Sequence, residues 1–272
     1  MTKQLILFKI ILASSLSASA WAPDYYTVQD QNAKIQEASM NPLETFSEVV
    51  EVAARRKIAD LNLMAWDHHE EELEDPATPY NRKSQYGTWV RDRNDGTCYN
   101  TRAKVLIRSS EIPVSFASNG CTVKNGLWND PYSNRQYRDA ADIQIDHVVA
   151  LKNSYVSGGW KWNANKRCLY ANFMSNEYHL MAVNGPDNMK KGDRTPEKFM
   201  PPNAAYACEY LKIWLKIKLI WNLAMTPSEA DAISDLAKQH QCQAADLVMT
   251  AQELSQQRQG ILDNMGLCKA AQ

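Results

Sequence analysis

A chain of 272 residues, 44% hydrophobic and 22% charged with a formal net charge of −1, can bury a sizeable core, which excludes a wholly disordered or fibrous protein. Beyond the N-terminal leader no apolar run reaches the roughly 18 residues of a bilayer span, so no membrane anchor is expected. The near-zero charge hides an uneven distribution: residues 79–225 carry 21 Lys/Arg against 12 Asp/Glu, whereas residues 21–78 carry 4 against 13. A positive central segment is the footprint of a chain that meets a polyanion, and an acidic neighbour either solvates itself or folds over that segment and masks it.

Residues 1–20 have the pattern of an export leader. Lys3 and Lys9 flank the apolar run Leu5 to Leu12, and Ala18-Ser19-Ala20 fits the small-residue pattern for cleavage, so a mature chain starting at Trp21 and delivered to the periplasm or outside is expected. Cys98, Cys121, Cys168, Cys208, Cys242 and Cys268 all follow the leader, and their even number suits disulfides in an oxidising compartment. Pairing of sequence neighbours (98 with 121, 168 with 208, 242 with 268) is the expected arrangement. The absence of a CxxC pair disfavours a cysteine zinc site.

Residues 21–78 form an acidic helical segment in this reading. Asn41 can cap, Pro42 suits the first helical position, and Leu43, Phe46, Val50, Ala54, Ile58, Leu61 and Ala65 recur at helical spacing. Asp75, Pro76 and Pro79 end the helix and set a boundary near residue 78. His68 and His69, followed by three glutamates, make no preformed metal cage, because adjacent helical residues point about 100° apart.

From residue 80 to 145 short segments alternate with turn signals such as Asn94-Asp95-Gly96 and Asn119-Gly120, which predicts an α+β region with "AKVLIR" (103–108) and "ADIQIDHVVAL" (141–151) as its clearest strands. Residues 208–225 predict an apolar helix, and a tail over 226–272 opens with Thr226-Pro227-Ser228-Glu229, a capped helix start.

The chemistry concentrates in "DIQIDHVVAL". Asp146 and His147 have opposite strand parity, so they serve one site only if the strand bends or ends there. A neutral imidazole takes a proton near pH 7, and a carboxylate is a hard ligand for a divalent ion. About forty residues on, "YHLMAVNGPDNMKKGD" predicts a second strand over Leu180 to Val183 and a short helix that starts at Pro186 and stops at Gly192. Such a unit can bring Asn188 from the helix to an ion held by Asp146, beside His147.

These residues, "IDHVV" with "HLMAVNGPDNMKKGD", resemble the HNH endonucleases and their ββα-metal unit. The wider set, "YNRKSQYGTW", "CYNTRAKVL", "WKW" followed by "KRCLYAN", and "PPN" followed by "CEYLKIWLKIK", is similar to exported HNH proteins related to the C-terminal nuclease domain of GmrSD-type restriction enzymes, over residues 79–225. The resemblance implies an α+β fold: a ββα-metal nuclease core with helical flanks at both ends, stabilised by disulfides. It implies His147 as general base, Asp146 and Asn188 as ligands of one divalent ion, Mg²⁺ or else Mn²⁺, and His179 at the middle position of the HNH signature.

At that middle position Asn is usual. His179 is expected to brace the loop that carries the base; the alternative is a further metal ligand, and Asn172 or Asn176 could supply the missing asparagine. Arg167, Lys190 and Lys191 are the expected phosphate contacts, Arg102 serves either substrate or structure, and Trp160 and Trp162 are read as core residues before base-stacking ones. The implied activity is metal-assisted hydrolysis of DNA with little sequence preference, by a monomer, with RNA as the alternative substrate. Two other readings are a silent nucleic-acid-binding or uptake protein, and a toxin restrained by an immunity or inhibitor protein.

Overall fold

A computed structural model describes residues 76–243, 247 and 249–268. The leader, the helix expected over 41–74 and the His68-His69 cluster lie outside the described residues.

The described chain is α+β. Asn81 caps a short helix α1 (Arg82–Tyr86) by accepting from Ser84 N at 3.0 Å, and this turn is pinned to the interior through Gln85 and Tyr86, both buried. Helix α2 (Thr101–Arg108) occupies the "AKVLIR" stretch, where a strand was expected. Its start is set by Asn100, whose side chain accepts from Ala103 N at 2.9 Å, while Ala103, Val105 and Leu106 turn inward. A local cap satisfies backbone donors that no neighbouring strand supplies, so the helix wins over β propensity.

Three strands then form one small antiparallel sheet, in the order β1 (Ser115–Phe116), β2 (Val123–Asp130), β3 (Arg135–Asp139). The fourth strand, β4 (Ile143–His147), pairs antiparallel with the distant β5 (Leu180–Asn184), with Ile143 opposite Asn184 and His147 opposite Leu180. Between them the chain makes α3 (Leu151–Val156) and α4 (Ala164–Ala171). After β5 comes α5 (Gly185–Lys191): Asn184 accepts from Asp187 N at 2.9 Å, Pro186 occupies the first turn, and Gly192 ends the helix at φ +55. That positive φ suits a glycine at a helix terminus. β4, β5 and α5 are thus a ββα unit at the positions read from the sequence.

The long helix α6 (Ala207–Trp221) is apolar nearly all round and fills the middle of the larger core with Tyr210, Trp214, Ile217 and Trp221. Asn222 ends it in the left-handed conformation. Helix α7 (Pro227–Gln239) starts where Thr226 accepts from Glu229 N, and α8 (Ala251–Asp263) follows. Ile233 of α7 and Leu254 and Ile261 of α8 join the same cluster as Val148, Tyr170 and Phe173, so the C-terminal helices pack onto the core that supports the ββα unit. A smaller cluster, built on Val105, Trp128, Ile143 and Leu180, lies between α2, β2 and the β4–β5 pair.

Three disulfides close the structure: Cys98–Cys121, Cys168–Cys268 and Cys208–Cys242. The first is the expected neighbour pair. The other two correct the expectation, because α8 returns its C-terminal end to α4, which brings Cys268 to Cys168, and the end of α7 returns to α6, which brings Cys242 to Cys208. Among the described residues no helix is long and apolar enough to cross a membrane.

Candidate active site

The end of β4 and the start of α3, facing α5, enclose a cavity of about 430 Å³ whose lining includes Arg82, Asp146, His147, Lys152 and Asn188. The sequence parity of Asp146 and His147 is real, since they pair with Met181 and Leu180 in a regular ladder. His147 is the last strand residue. The chain turns away into α3 immediately afterwards, and so both side chains line one cavity.

His147 is 7% exposed and its ring is fixed on two sides. Nε2 lies 3.0 Å from the carbonyl oxygen of Ala171, at the end of α4. A carbonyl only accepts, so in the neutral ring Nε2 carries the proton and Nδ1 holds the lone pair. Among the described residues none is hydrogen-bonded to Nδ1, and His147 lines the cavity. The ring also stacks on Trp89, with centroids 5.3 Å apart and an interplanar angle of 1°. Burial pushes its pKa well below the ordinary histidine value, with smaller contributions in the same direction from His179, Arg82 and Lys191. The imidazole is therefore neutral at pH 7.

Asp146 is 4% exposed and held from both oxygens. Oδ2 accepts from the Tyr132 hydroxyl at 2.6 Å, and Oδ1 from Lys191 Nζ at 2.8 Å. Burial raises the carboxyl above its usual range, and the Lys191 ammonium opposes that rise. Burial, followed by the charge of Asp146, also keeps Tyr132 a phenol that can only donate here. Lys191 is 0% exposed and spends a second hydrogen on the His147 carbonyl, 3.0 Å away. This differs from the phosphate contact expected of Lys191: its ammonium is the internal counter-ion of the site.

Asn188 projects from α5 and donates from Nδ2 to Gln144 at 2.8 Å, leaving Oδ1 without a donor among the described residues. A second network fixes where α5 begins. Asp130, at the end of β2, accepts from Asn184 Nδ2, and the same amide donates to Asp187 at 2.7 Å. The helix that carries Asn188 and Lys191 is thus tied at its start to the neighbouring sheet.

These donors fit a hard divalent cation. Each oxygen of Asp146 keeps an unused lone pair after one hydrogen bond, and Asn188 Oδ1 is a neutral oxygen donor on the same cavity. A pair of oxygen ligands suits an ion that retains several waters, as Mg²⁺ does. Among the described residues no group of three His, Cys, Asp or Glu comes together that could hold a metal ion.

His179 packs edge-on to His147 and is 1% exposed. Its Nε2 donates to the Tyr170 carbonyl at 2.7 Å, one residue before the carbonyl that holds His147, and its Nδ1 is buried with no partner. Neither nitrogen lines the cavity. Asn176 holds the same loop by accepting from the backbone of Tyr178 and His179, while Asn172 accepts from Val90 N at 2.9 Å and donates to Thr88. The structure does not bring Arg167 to the cavity. Its guanidinium donates to the carbonyls of Gln85, Trp160 and Trp162, which makes it a backbone clamp. Arg102 likewise donates to the Ala140 and Ile143 carbonyls and sets the start of β4. Trp162 packs on Tyr170 and Trp221 within the core. Lys190 is exposed at the end of α5.

Sequence reasoning missed Tyr132, Trp89, Gln144 and the counter-ion role of Lys191. Tyr132 lies in a turn with no periodic signal, and Trp89 belonged to a quoted motif whose purpose was not evident in one dimension.

Residues 100–236 match the family model described as GmrSD restriction endonucleases, C-terminal domain. The chain is also 35% identical over 162 residues to an uncharacterized secreted protein of Arthroderma benhamiae, an alignment covering 59% of this chain and 76% of that one. No solved structure matches the chain.

Proposed function

The chain belongs to the family of the C-terminal domain of GmrSD restriction endonucleases, a nuclease family, and from that premise we propose that it is an exported HNH-type endonuclease that hydrolyses phosphodiester bonds of DNA with His147 as general base. The observation that carries this reading is the tautomer lock: Nε2 of His147 is committed to the Ala171 carbonyl, so the free lone pair belongs to Nδ1 of a residue that lines the cavity. A neutral, immobilised imidazole beside a cavity with oxygen donors is what removal of a proton from water requires.

In the proposed reaction Nδ1 of His147 accepts a proton from water, the hydroxide equivalent attacks phosphorus in line as the P–O3′ bond breaks, and the departing 3′-oxygen takes a proton from solvent. The family resemblance implies 5′-phosphate and 3′-hydroxyl products. Asp146 and Asn188 would hold the divalent ion, Mg²⁺ or Mn²⁺, which when bound supplies Lewis-acid stabilisation of charge on the phosphoryl and leaving oxygens. Tyr132 and Lys191 orient the Asp146 carboxylate before any ligand arrives, and Gln144 turns the Asn188 amide so that its oxygen is the free end. His179 and Asn176 keep the α4–β5 loop in place, and with it the carbonyl that sets the tautomer. Lys190 remains the proposed phosphate contact on α5.

Little sequence preference is expected, since contacts to the phosphate backbone suffice for cleavage and carry no base information. Export is supported by the secreted relative and the three disulfides. The test is incubation of purified residues 21–272 with supercoiled plasmid and, separately, with RNA, in Mg²⁺ and in EDTA. Metal-dependent nicking of the plasmid is the expected result. RNA cleavage alone would replace the substrate assignment, and cleavage that persists in EDTA would remove the metal from it.

A further inference from the structure

The motif "YNRKSQYGTW" ends at the tryptophan that stacks on the base and contains an arginine that the mechanism above does not use. Arg82 is the first residue of α1, and its guanidinium carbon lies 5.9 Å from the centre of the Trp89 ring. Trp89 in turn lies flat against His147, at 5.3 Å and 1°. Trp89 thus contacts both Arg82 and His147, and Arg82 lines the cavity along with Asp146, His147 and Asn188.

Apart from Lys190, which is exposed on α5 and does not line the cavity, the other described cations beside it are engaged. Lys191 pairs with Asp146 at 2.8 Å, Lys152 with Asp193 at 2.6 Å, and Arg194 donates to the carbonyls of Lys190 and Lys191. Arg82 has no carboxylate partner among the described residues, and it is exposed. An arginine is costly to orient by its own long side chain, but here both ends of the link are fixed. Its backbone sits on a turn pinned by Gln85 to the Tyr155 hydroxyl at 2.8 Å and by the Tyr86 hydroxyl to Ser154 at 2.8 Å. Trp89 is flanked by Thr88 and Val90, both bonded to the Asn172 side chain. Stacking on an aromatic face steadies a guanidinium and leaves its in-plane N–H fork free, and that fork matches the oxygens of a phosphate.

We propose that Arg82, steadied on the Trp89 ring, is a catalytic residue of this site that binds the phosphate under attack and stabilises the charge that develops on it. This rests on the endonuclease reading above and adds the group that receives the substrate. Trp89 is then a positioning residue with two dependants, since the same ring packs against both the base and the phosphate ligand.

The experiment compares plasmid cleavage and binding of a short fluorescent DNA duplex, the latter in EDTA over a range of salt, for the wild type, Arg82→Gln, Arg82→Lys, Trp89→Leu and the double variant Arg82→Gln/Trp89→Leu. Arg82→Gln is expected to lower kcat about 100- to 1,000-fold, the usual effect of deleting one donor to a developing charge, with an unchanged melting temperature because the side chain is exposed. Arg82→Lys should recover part of the loss, and the salt slope of duplex binding should fall by about one phosphate contact in Arg82→Gln. With Trp89→Leu already present, removal of Arg82 should cost much less than it does alone, which a purely structural role for either residue would not produce. Wild-type rates and an unchanged salt slope in Arg82→Gln would overturn the inference while leaving the nuclease reading intact. A wild type that cleaves neither plasmid nor RNA with any divalent ion would overturn both.

Discussion

His147 donates its Nε2 proton to the carbonyl oxygen of Ala171 across 3.0 Å, and that bond decides which ring nitrogen can act as a base. The residue before Ala171 holds His179 by the same kind of bond, at 2.7 Å. Two successive carbonyls at the end of α4 therefore fix two histidines, His147, which lines the cavity, and His179, which packs edge-on to it. The arrangement makes the orientation of His147 depend on a helix end and a loop that do not line the cavity.

The Asp146–Lys191 pair is fully enclosed, so its two halves are not equivalent to surface charges. Lys191→Met should destabilise the fold by about 3–5 kcal/mol, because it strands a buried carboxylate. Adding Asp146→Asn should restore most of that loss, although not activity. Urea denaturation of the wild type and the two variants measures both effects, and equal instability of the single and double variants would contradict the pairing.

Burial lowers the pKa of His179 to about 4. Above the ordinary value near 6.5 both folded and unfolded chains carry a neutral ring, and the stability is fully present. As pH falls from 6.5 towards 4 only the unfolded chain takes up the proton, so stability is lost by about 3 kcal/mol through this residue, with His147 acting in the same direction. His179→Gln should therefore flatten the dependence of the urea midpoint on pH across that window. An unaltered slope would mean that the ring is not buried neutral.

Tyr132 is the unanticipated partner of the site. Tyr132→Phe removes one donor from Asp146 without a large change of shape, and metal affinity should fall about 10- to 100-fold while the fold persists. Calorimetric titration with Mn²⁺ reads this directly, and unchanged affinity would place the metal away from Asp146.

The Cys168–Cys268 link spans a sequence separation of 100 and ties α8 to α4, the helix whose end holds the base. Replacing both cysteines with serine should cost up to about 4–5 kcal/mol by the chain-entropy argument, more than the same change at Cys98–Cys121, where the separation is 23. Thermal melts of the two double variants, with plasmid cleavage at low temperature as a check on the site, give the comparison.

Much of the ββα unit was legible because its signals are local. Pro186 and Gly192 bracket α5, apolar runs mark β4 and β5, and Thr226 caps α7 within a few residues of what it caps. The stretch at 103–108 misled because Val and Ile suggest a strand, while the decisive cap, Asn100, lies before the run. The site's supporting contacts were less legible for a physical reason. Tyr132 and Lys191 reach Asp146 over separations of 14 and 45 residues, and Trp89 meets His147 from outside the unit altogether. Nothing in a one-dimensional pattern distinguishes Lys191, buried as a counter-ion, from Lys190, exposed beside it. Arg167 shows the converse: a basic residue in a family-like motif whose hydrogen bonds all go to backbone carbonyls.

The central claim is that His147 activates water, and the most direct measurement is the rate of plasmid nicking by His147→Ala beside the wild type in Mg²⁺, with near-ultraviolet circular dichroism to show that the core around Trp89 and Trp221 is retained. The account predicts a loss of about 100- to 10,000-fold with the tertiary signal preserved. Nicking at the wild-type rate by the folded variant would contradict it.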